Sequence, residues 1–382
     1  MSLQAHHPML PEPTHDEESR QVFMKSMREH VTGTVTAGNK TIYEGAAKKS
    51  FERAMGRPPR NRQEVRKAMI AEPYHRYWSA FMRTTQEMMW DSVGATVGRT
   101  IDDLNGRAKK RGRTKGTLRL NPDLPLPRYV TAVDIHCMPG NYTTDAAPDD
   151  VSAGALYDRG VYLYMMGGMG AHNESCGATL VDHLQTNYAD FAPRRILDMG
   201  CAVGHSTLPY VDAFPDAEVH AIDVGAPMLR YAHARAEGLG KTVHFSQQNA
   251  ERTDFPDQSF DLIVSHIALH ETSSKAMRNI MAESRRLLRP GGMALHLEVP
   301  PFDGKDPFDQ YLTDWDTHYN AEPFIGTLHD FDLRKLMQDS GFGHNEVIMD
   351  TIPVHVSTDD GNGNYTHHVG GYLLAHGGKR GA

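Results

Sequence analysis

Asp198, Gly200 and Gly204 lie in RILDMGCAVGHSTL (195–208), where a short apolar run, Ile196 and Leu197, gives way to glycines and then to a predicted helix. Glycines at a strand-to-helix turn let the backbone approach a ligand closely and adopt angles that other residues avoid. The spacing is DxGxxxG, with Cys201 inside it and the acid ahead of the glycines. It is not the GxGxxG whose amides meet a pyrophosphate at a helix N-terminus. An acid at this place suits a ligand with a cationic end. Asp223 closes a second run, AEVHAIDVGAPML (217–229). An acid there can accept both hydroxyls of a ribose, as at the same point of dinucleotide folds. Val224 and Met228 could then flank a base ring, and Asn249 and Ala250 would lie at its edge. A further strand ends near Ser265. His266 and His270 follow it, at the expected rim of a crevice. Either could act as a general base near neutral pH; His270 could equally pack or cap the segment after the strand.

Two further segments carry side chains that could meet a substrate. YDRGVYLYMMGGMGAHNESCGATLVDHL (157–184) clusters Tyr162, Tyr164, Met165, Met166 and Met169 with glycines, followed by His172. It is either a lid with Tyr164, Met169 or His172 facing the substrate, or an apolar staple between domains. The stretch 301–330 is long and aromatic, and Trp315, Tyr319 and Phe324 could form an opposite wall.

These residues need a scaffold. From Arg195 onward, short apolar runs alternate with helix-like segments, the β-α-β rhythm of a mostly parallel, doubly wound α/β sheet. Ahead of it the chain reads as a flexible tail (1–15), a helical accessory region (16–106), and a basic linker with an extended segment (107–150). Residues 151–382 hold the sheet domain. Within 73–98, Tyr74, Tyr77, Trp78, Phe81, Met82, Met89, Val93 and Val97 form one apolar stripe, with Pro73 where a helix may start. The stripe fits core packing, a homodimer contact through the N-terminal helices, or a cavity wall. RAKKRGRTKG (107–116) reads as a solvated linker, because it is short and lacks interleaved aromatics.

Composition narrows the function classes. The 382 residues carry 48 acidic and 40 basic side chains, a net charge of −8, which gives no general attraction to nucleic acid or an anionic membrane. Three cysteines, Cys137, Cys176 and Cys201, make no disulfide framework and no CxxC pair. Neither a signal-peptide plan nor an apolar run of membrane-spanning length is present, so a cytoplasmic protein without membrane insertion is expected. The histidines, including His6-His7 and His367-His368, are scattered without HExxH or a facing pair, and no metal site is expected.

Four features in order resemble class I, Rossmann-like methyltransferases of the broad type that includes the ubiquinone and menaquinone C-methyltransferases. They are the DxGCxxG loop, the acid after the second strand, FPDQSFDLIVS (255–265) and LLRPGG (287–292). The resemblance covers 180–300, extends less specifically to 331–377, and leaves 1–150 unmatched. It implies a seven-stranded sheet and S-adenosylmethionine as cofactor. It places Asp198, Gly200 and Gly204 in the cofactor loop, Asp223 on the ribose, Asn249 and Ala250 at the adenine, and Ser265 or His266 beside the methionine moiety. Ala202 stands where many relatives carry glycine. The implied activity is methylation of a small organic molecule at O, N, S or C. Alternatives are a nucleic-acid methyltransferase, opposed by SHIALHE in place of an (N/D)PP(Y/F) tetrapeptide, a nicotinamide oxidoreductase, opposed by DxGxxxG, and a non-catalytic cofactor-binding subunit. Arsenic methylation, which uses thiols, is not matched by the cysteine spacing.

Overall fold

The apolar runs after Arg195 become strands of one sheet. The computed structural model describes residues 4–110, 115–354 and 371–378. The strands are β1 (Thr117–Arg119), β2 (Arg195–Met199), β3 (Glu218–Asp223), β4 (His244–Gln247), β5 (Phe260–His266), β6 (Leu288–Glu298), β7 (Val347–Pro353) and β8 (Gly371–Gly377). Their order is β1-β4-β3-β2-β5-β6-β8-β7. Strands β1 to β6 run parallel, and β8 is antiparallel to β6 and β7. The sheet is doubly wound as expected but has eight strands instead of seven. The extra strand, β1, comes from the segment read as a linker. Its three residues pair with β4, too short a run to show a period of two in sequence. The stretch 121–142, expected as extended chain, instead forms short helical turns at Arg128–Thr131 and Ile135–Cys137. Residues 111–114 of the basic run, and His367-His368, lie outside the described residues.

Successive side chains of a strand enter opposite layers. Ile196 and Leu262 join the cluster of Leu180, Leu184 and Leu229 on one face. Leu197 and Ile263 join Met277, Ile280 and Met281 on the other. Burial on both faces explains why these strands read as continuous apolar runs rather than alternation.

The N-terminal region covers one side of this sheet. Helix His15–His30 starts at a capping box, in which Thr14 Oγ1 accepts the Glu17 amide and Glu17 Oε2 accepts the Thr14 amide at 2.8 Å. Pro73 sits in the first turn of helix Pro73–Lys109, which is 37 residues long. Its stripe is absorbed within the chain: Met89, Trp90, Val93 and Val97 pack with Leu156 and Leu163 of helix Ser152–Tyr164. Tyr77 remains 60% exposed.

Residues 4–14 were expected to belong to a flexible tail, and the structure differs. His7 and Met9 are each 1% exposed. His7 Nε2 lies 2.9 Å from Asp158 Oδ2, and the Tyr231 hydroxyl bridges Asp158 Oδ2 (2.8 Å) and the Met9 carbonyl (3.0 Å). A polar, aperiodic sequence hid a segment that is anchored by one buried carboxylate. Among the described residues no helix is long and apolar enough to cross a membrane.

Candidate cofactor and acceptor site

Two cavities open at the carboxyl ends of the parallel strands, beside the point where the strand order reverses between β2 and β5. They meet at Tyr157, Gly200, Ala202, His266, Ile267 and Glu271.

Asp223, Val224, Asn249, Ala250 and Ser265 line the first cavity. Asp223 ends β3, and its two oxygens accept the Ala202 and Gly225 amides, each at 2.9 Å. Each oxygen keeps lone-pair capacity for a ligand hydroxyl. Burial raises this carboxyl to about 6 against the pull of those amides, and the charge of Glu271 adds to the rise. The loop after β2 is left-handed at Gly200 (φ 78°), Ala202 (φ 47°) and Gly204 (φ 77°). A Cβ on Gly200 would press on Ala268. Ala202 thus adopts a conformation that glycine takes without strain. Gly204 shapes the turn without lining either cavity, and the helix begins only at Leu208.

Asp198 is the penultimate residue of β2, beside this loop. Its Oδ2 accepts Thr207 Oγ1 at 2.6 Å, whereas its buried Oδ1 makes no hydrogen bond; His266 Nδ1 stands 3.3 Å away. A carboxylate oxygen without a hydrogen bond here fits the ammonium of an aminoacyl group. Together with Asp223 and the close backbone approach at Gly200, it matches the donor set S-adenosylmethionine requires.

The second cavity, of about 260 Å³, lies beneath helix Ser152–Tyr164 and the insertion after β6. Trp90, Tyr164, Met165, Met169 and Cys201 contribute to its wall, and His270 reaches it from the short helix Leu269–Glu271. His270 Nδ1 is 2.9 Å from Glu298 Oε2, and Nε2 is 3.8 Å from Glu322 Oε2. Burial opposes a charged ring, but Glu298, Glu322 and Glu271 outweigh it and lift His270 to about 9. These carboxylates favour the protonated ring at neutral pH, whereas a general base has to be neutral. His266 is held by Tyr210 Oη at 2.9 Å on Nε2, with Asp198 beside its other nitrogen. Burial raises the Cys201 thiol well above its ordinary value.

Several residues enter that local motifs did not reveal. His136 stands between Glu271 (3.1 Å) and Glu322 (2.9 Å), which raise it well above its ordinary value against burial. His136 and Cys137 are both left-handed, φ 54° and 58°, an unusual conformation for two successive non-glycine residues. Tyr142 Oη donates to Glu271 Oε1 at 2.9 Å, and Tyr129 Oη donates to Glu251 Oε1 at 3.0 Å. All come from 121–142, where only the density of aromatic and histidine side chains could have signalled a role.

Four expected residues lie elsewhere. Met228 is fully buried in the cluster of Val203 and Tyr231, because helix Ala226–Gly238 turns it away from the cavity. His172 is displaced by the left-handed Asn173 (φ 60°), which faces the second cavity in its place. Trp315 donates to Ser79 Oγ at 2.7 Å, and Tyr319 lies 5.7 Å from its ring, both against helix Pro73–Lys109. On helix Trp315–Tyr319 the i, i+4 pair Trp315 and Tyr319 shares one side, and Asp316 lines the cavity. Among the described residues no group of three or more His, Cys, Asp or Glu is arranged to hold a metal.

Residues 196–292 match the family model described as "Methyltransferase domain". The chain is 36% identical over 110 residues to a demethylmenaquinone methyltransferase of Thermus thermophilus, covering 29% of this chain and 49% of that protein. It is 37% identical over 103 residues to a malonyl-[acyl-carrier protein] O-methyltransferase of Methylococcus capsulatus, covering 26% and 35%. The chain thus spans about half or less of the curated relatives' length. A solved S-adenosylmethionine-dependent methyltransferase of Methanosarcina mazei is 22% identical, with 52% of this chain and 98% of that chain covered and a TM-score of 0.38. Residues 196–292 are a methyltransferase domain.

Proposed function

We propose that the chain transfers a methyl group from S-adenosylmethionine in the first cavity to a small organic acceptor in the second. The observation that carries this reading is the junction of the two cavities at Gly200, Ala202 and His266, beside an Asp198 oxygen that makes no hydrogen bond. When bound, S-adenosylmethionine supplies a methyl group already activated on a sulfonium. The chain's own residues then have to hold, align and dry the reactants. Asp223 accepts the ribose hydroxyls, Asn249 and Ala250 face the base, and Asp198 takes the ammonium. Tyr164 and Met169 close over the acceptor. Relatives named for demethylmenaquinone and malonyl-[acyl-carrier protein] support a small-molecule acceptor over a nucleic acid, and so does the absence of lysine and arginine among the described residues lining the acceptor cavity. Three free cysteines support a cytosolic setting. A homodimer through the N-terminal helices would rest on exposed Tyr77 and Met88, and sedimentation of a Tyr77→Glu, Met88→Glu variant tests it.

Titration calorimetry with S-adenosylmethionine decides the main proposal. Saturable binding is expected, weakened roughly 100-fold or more in Asp223→Ala, since hydrogen bonds to a charged group contribute about 1.5–3 kcal/mol each. A wild-type chain that binds no S-adenosylmethionine overturns it.

A further inference from the structure

The acceptor cavity combines aromatic walls with an excess of carboxylates. Asp198, Glu271, Asp316 and Glu322 line it, and no lysine or arginine does so among the described residues. Its two charged imidazoles are already committed: His136 to Glu271 and Glu322, His270 to Glu298. Glu322 also accepts the side-chain amide of Asn320. Asp316 differs from its neighbours. Among the described residues no side chain hydrogen-bonds or pairs with its carboxylate, and it faces the cavity. Burial, then the charge of Glu322, lifts it to about 7, although Arg28, His136 and His270 pull the other way. Arg28 does not compensate it directly, because its guanidinium stacks on Tyr164 at 3.8 Å and its Nε donates to the Tyr164 carbonyl.

An anionic acceptor would enter without a free cation to meet it, and a neutral one would leave the half-buried Asp316 beside Glu322 with no partner. A cation relieves both. Trp90 and Tyr164 line the cavity, and aromatic rings attract an ammonium group. Trp90 is fixed by its indole N–H on the His136 carbonyl at 2.8 Å and by Gly160, whose missing side chain makes room for the ring.

We infer that the acceptor is an amine, held as its ammonium ion by Asp316 between the rings of Trp90 and Tyr164, and that Asp316 takes its proton before methylation. This rests on the methyl-transfer reading above. The ammonium passes one proton to the Asp316 carboxylate. The freed nitrogen lone pair forms the N–C bond to the methyl carbon as the C–S bond breaks, and the sulfur keeps that electron pair as a neutral thioether. Asp316, unlike His270, is in a state to receive the proton near neutral pH.

The test uses the full chain and three probes of similar size: phenethylamine, 2-phenylethanol and 3-phenylpropionate. Each is titrated calorimetrically with and without saturating S-adenosylhomocysteine. Phenethylamine is expected to bind at least tenfold more tightly than either of the others. Asp316→Asn should abolish that preference and leave S-adenosylhomocysteine affinity within twofold of wild type. Glu322→Gln removes charge from the same wall and gives the same loss, which keeps the test open if Asp316→Asn does not fold. Equal binding of the three, preference for the alcohol or the carboxylate, or binding of none overturns the amine assignment. Absence of S-adenosylhomocysteine binding overturns the cofactor reading instead, and the probe ranking without it is still read.

Discussion

In the proposed cofactor site, Asp223 would couple binding to protonation. Only the ionised carboxylate accepts hydrogen bonds at both oxygens, and burial holds its titration at about 6 in the free protein. Cofactor affinity is therefore expected to be level above about pH 7 and to fall about tenfold per pH unit below about 6. Titration calorimetry across that range checks this, and Asp223→Asn should bind weakly with no such slope; an unchanged slope in the variant would assign the titration to another group. His270 moves in the opposite sense. Its folded value near 9 exceeds the ordinary 6.5, so the stability from its pairing with Glu298 is complete below about 6.5 and is lost as pH rises through about 9. In Glu298→Gln the ring should titrate at least one unit lower, read from imidazole proton shifts. A titration that stays near 9 would mean that Glu322 and Glu271 suffice.

At the scale of elements, what was legible in the sequence follows from how local each signal is. The loop 198–204 and the end of β3 were readable because strand, glycine turn and acid are contiguous, and Ala202 was already visible as a departure that the structure resolves as a left-handed residue. On helix Trp315–Tyr319 the aromatics Trp315 and Tyr319 were expected to form a wall of the cavity. Its large aromatics drew attention, while its single acid, the half-buried Asp316, was the residue facing the cavity. His136, Tyr142 and Tyr129 carried no periodicity, and only their long-range partners Glu271 and Glu251 define their roles. The packing of Pro73–Lys109 on Ser152–Tyr164 depends on Gly160 in the same non-local way. A Cβ there would fall within the Trp90 ring. Gly160→Val is expected to lose about 1–3 kcal/mol through overpacking, measured by urea unfolding, and to weaken phenethylamine more than S-adenosylhomocysteine. A variant that keeps wild-type stability would show that the two helices can separate without cost.

At the scale of the whole molecule, Asp158 ties the N-terminal segment to the acceptor cavity. Its carboxylate meets His7 (2.9 Å), His205 (2.9 Å), Tyr231 (2.8 Å) and Arg235 (3.3 Å), and Gln4 donates to it at 2.9 Å. His205 lines the cavity and stacks on Tyr157, which touches both cavities. Burial opposes the charge of Asp158, but His205 and Arg235 hold its carboxyl well below the ordinary carboxylate range. Its contribution to stability is therefore present above about pH 4 and lost as pH falls through that depressed value. Burial also lowers His205, so unfolding takes up a proton there below about pH 6.5 and acid destabilises the fold through both groups. Asp158→Asn leaves Arg235 buried without its counter-charge, and removal of one member of such a pair costs about 3–5 kcal/mol. The expected result is a large fall in urea midpoint, loss of the Asp158 part of the acid-dependent stability, and faster proteolysis within residues 4–14 than in wild type under native conditions. His7→Ala removes only the N-terminal arm of the network and should reproduce the proteolysis with a smaller fall in midpoint. If His7→Ala leaves cleavage of that segment unchanged, the segment is held by Met9 in the apolar cluster, and Asp158 serves the cavity alone.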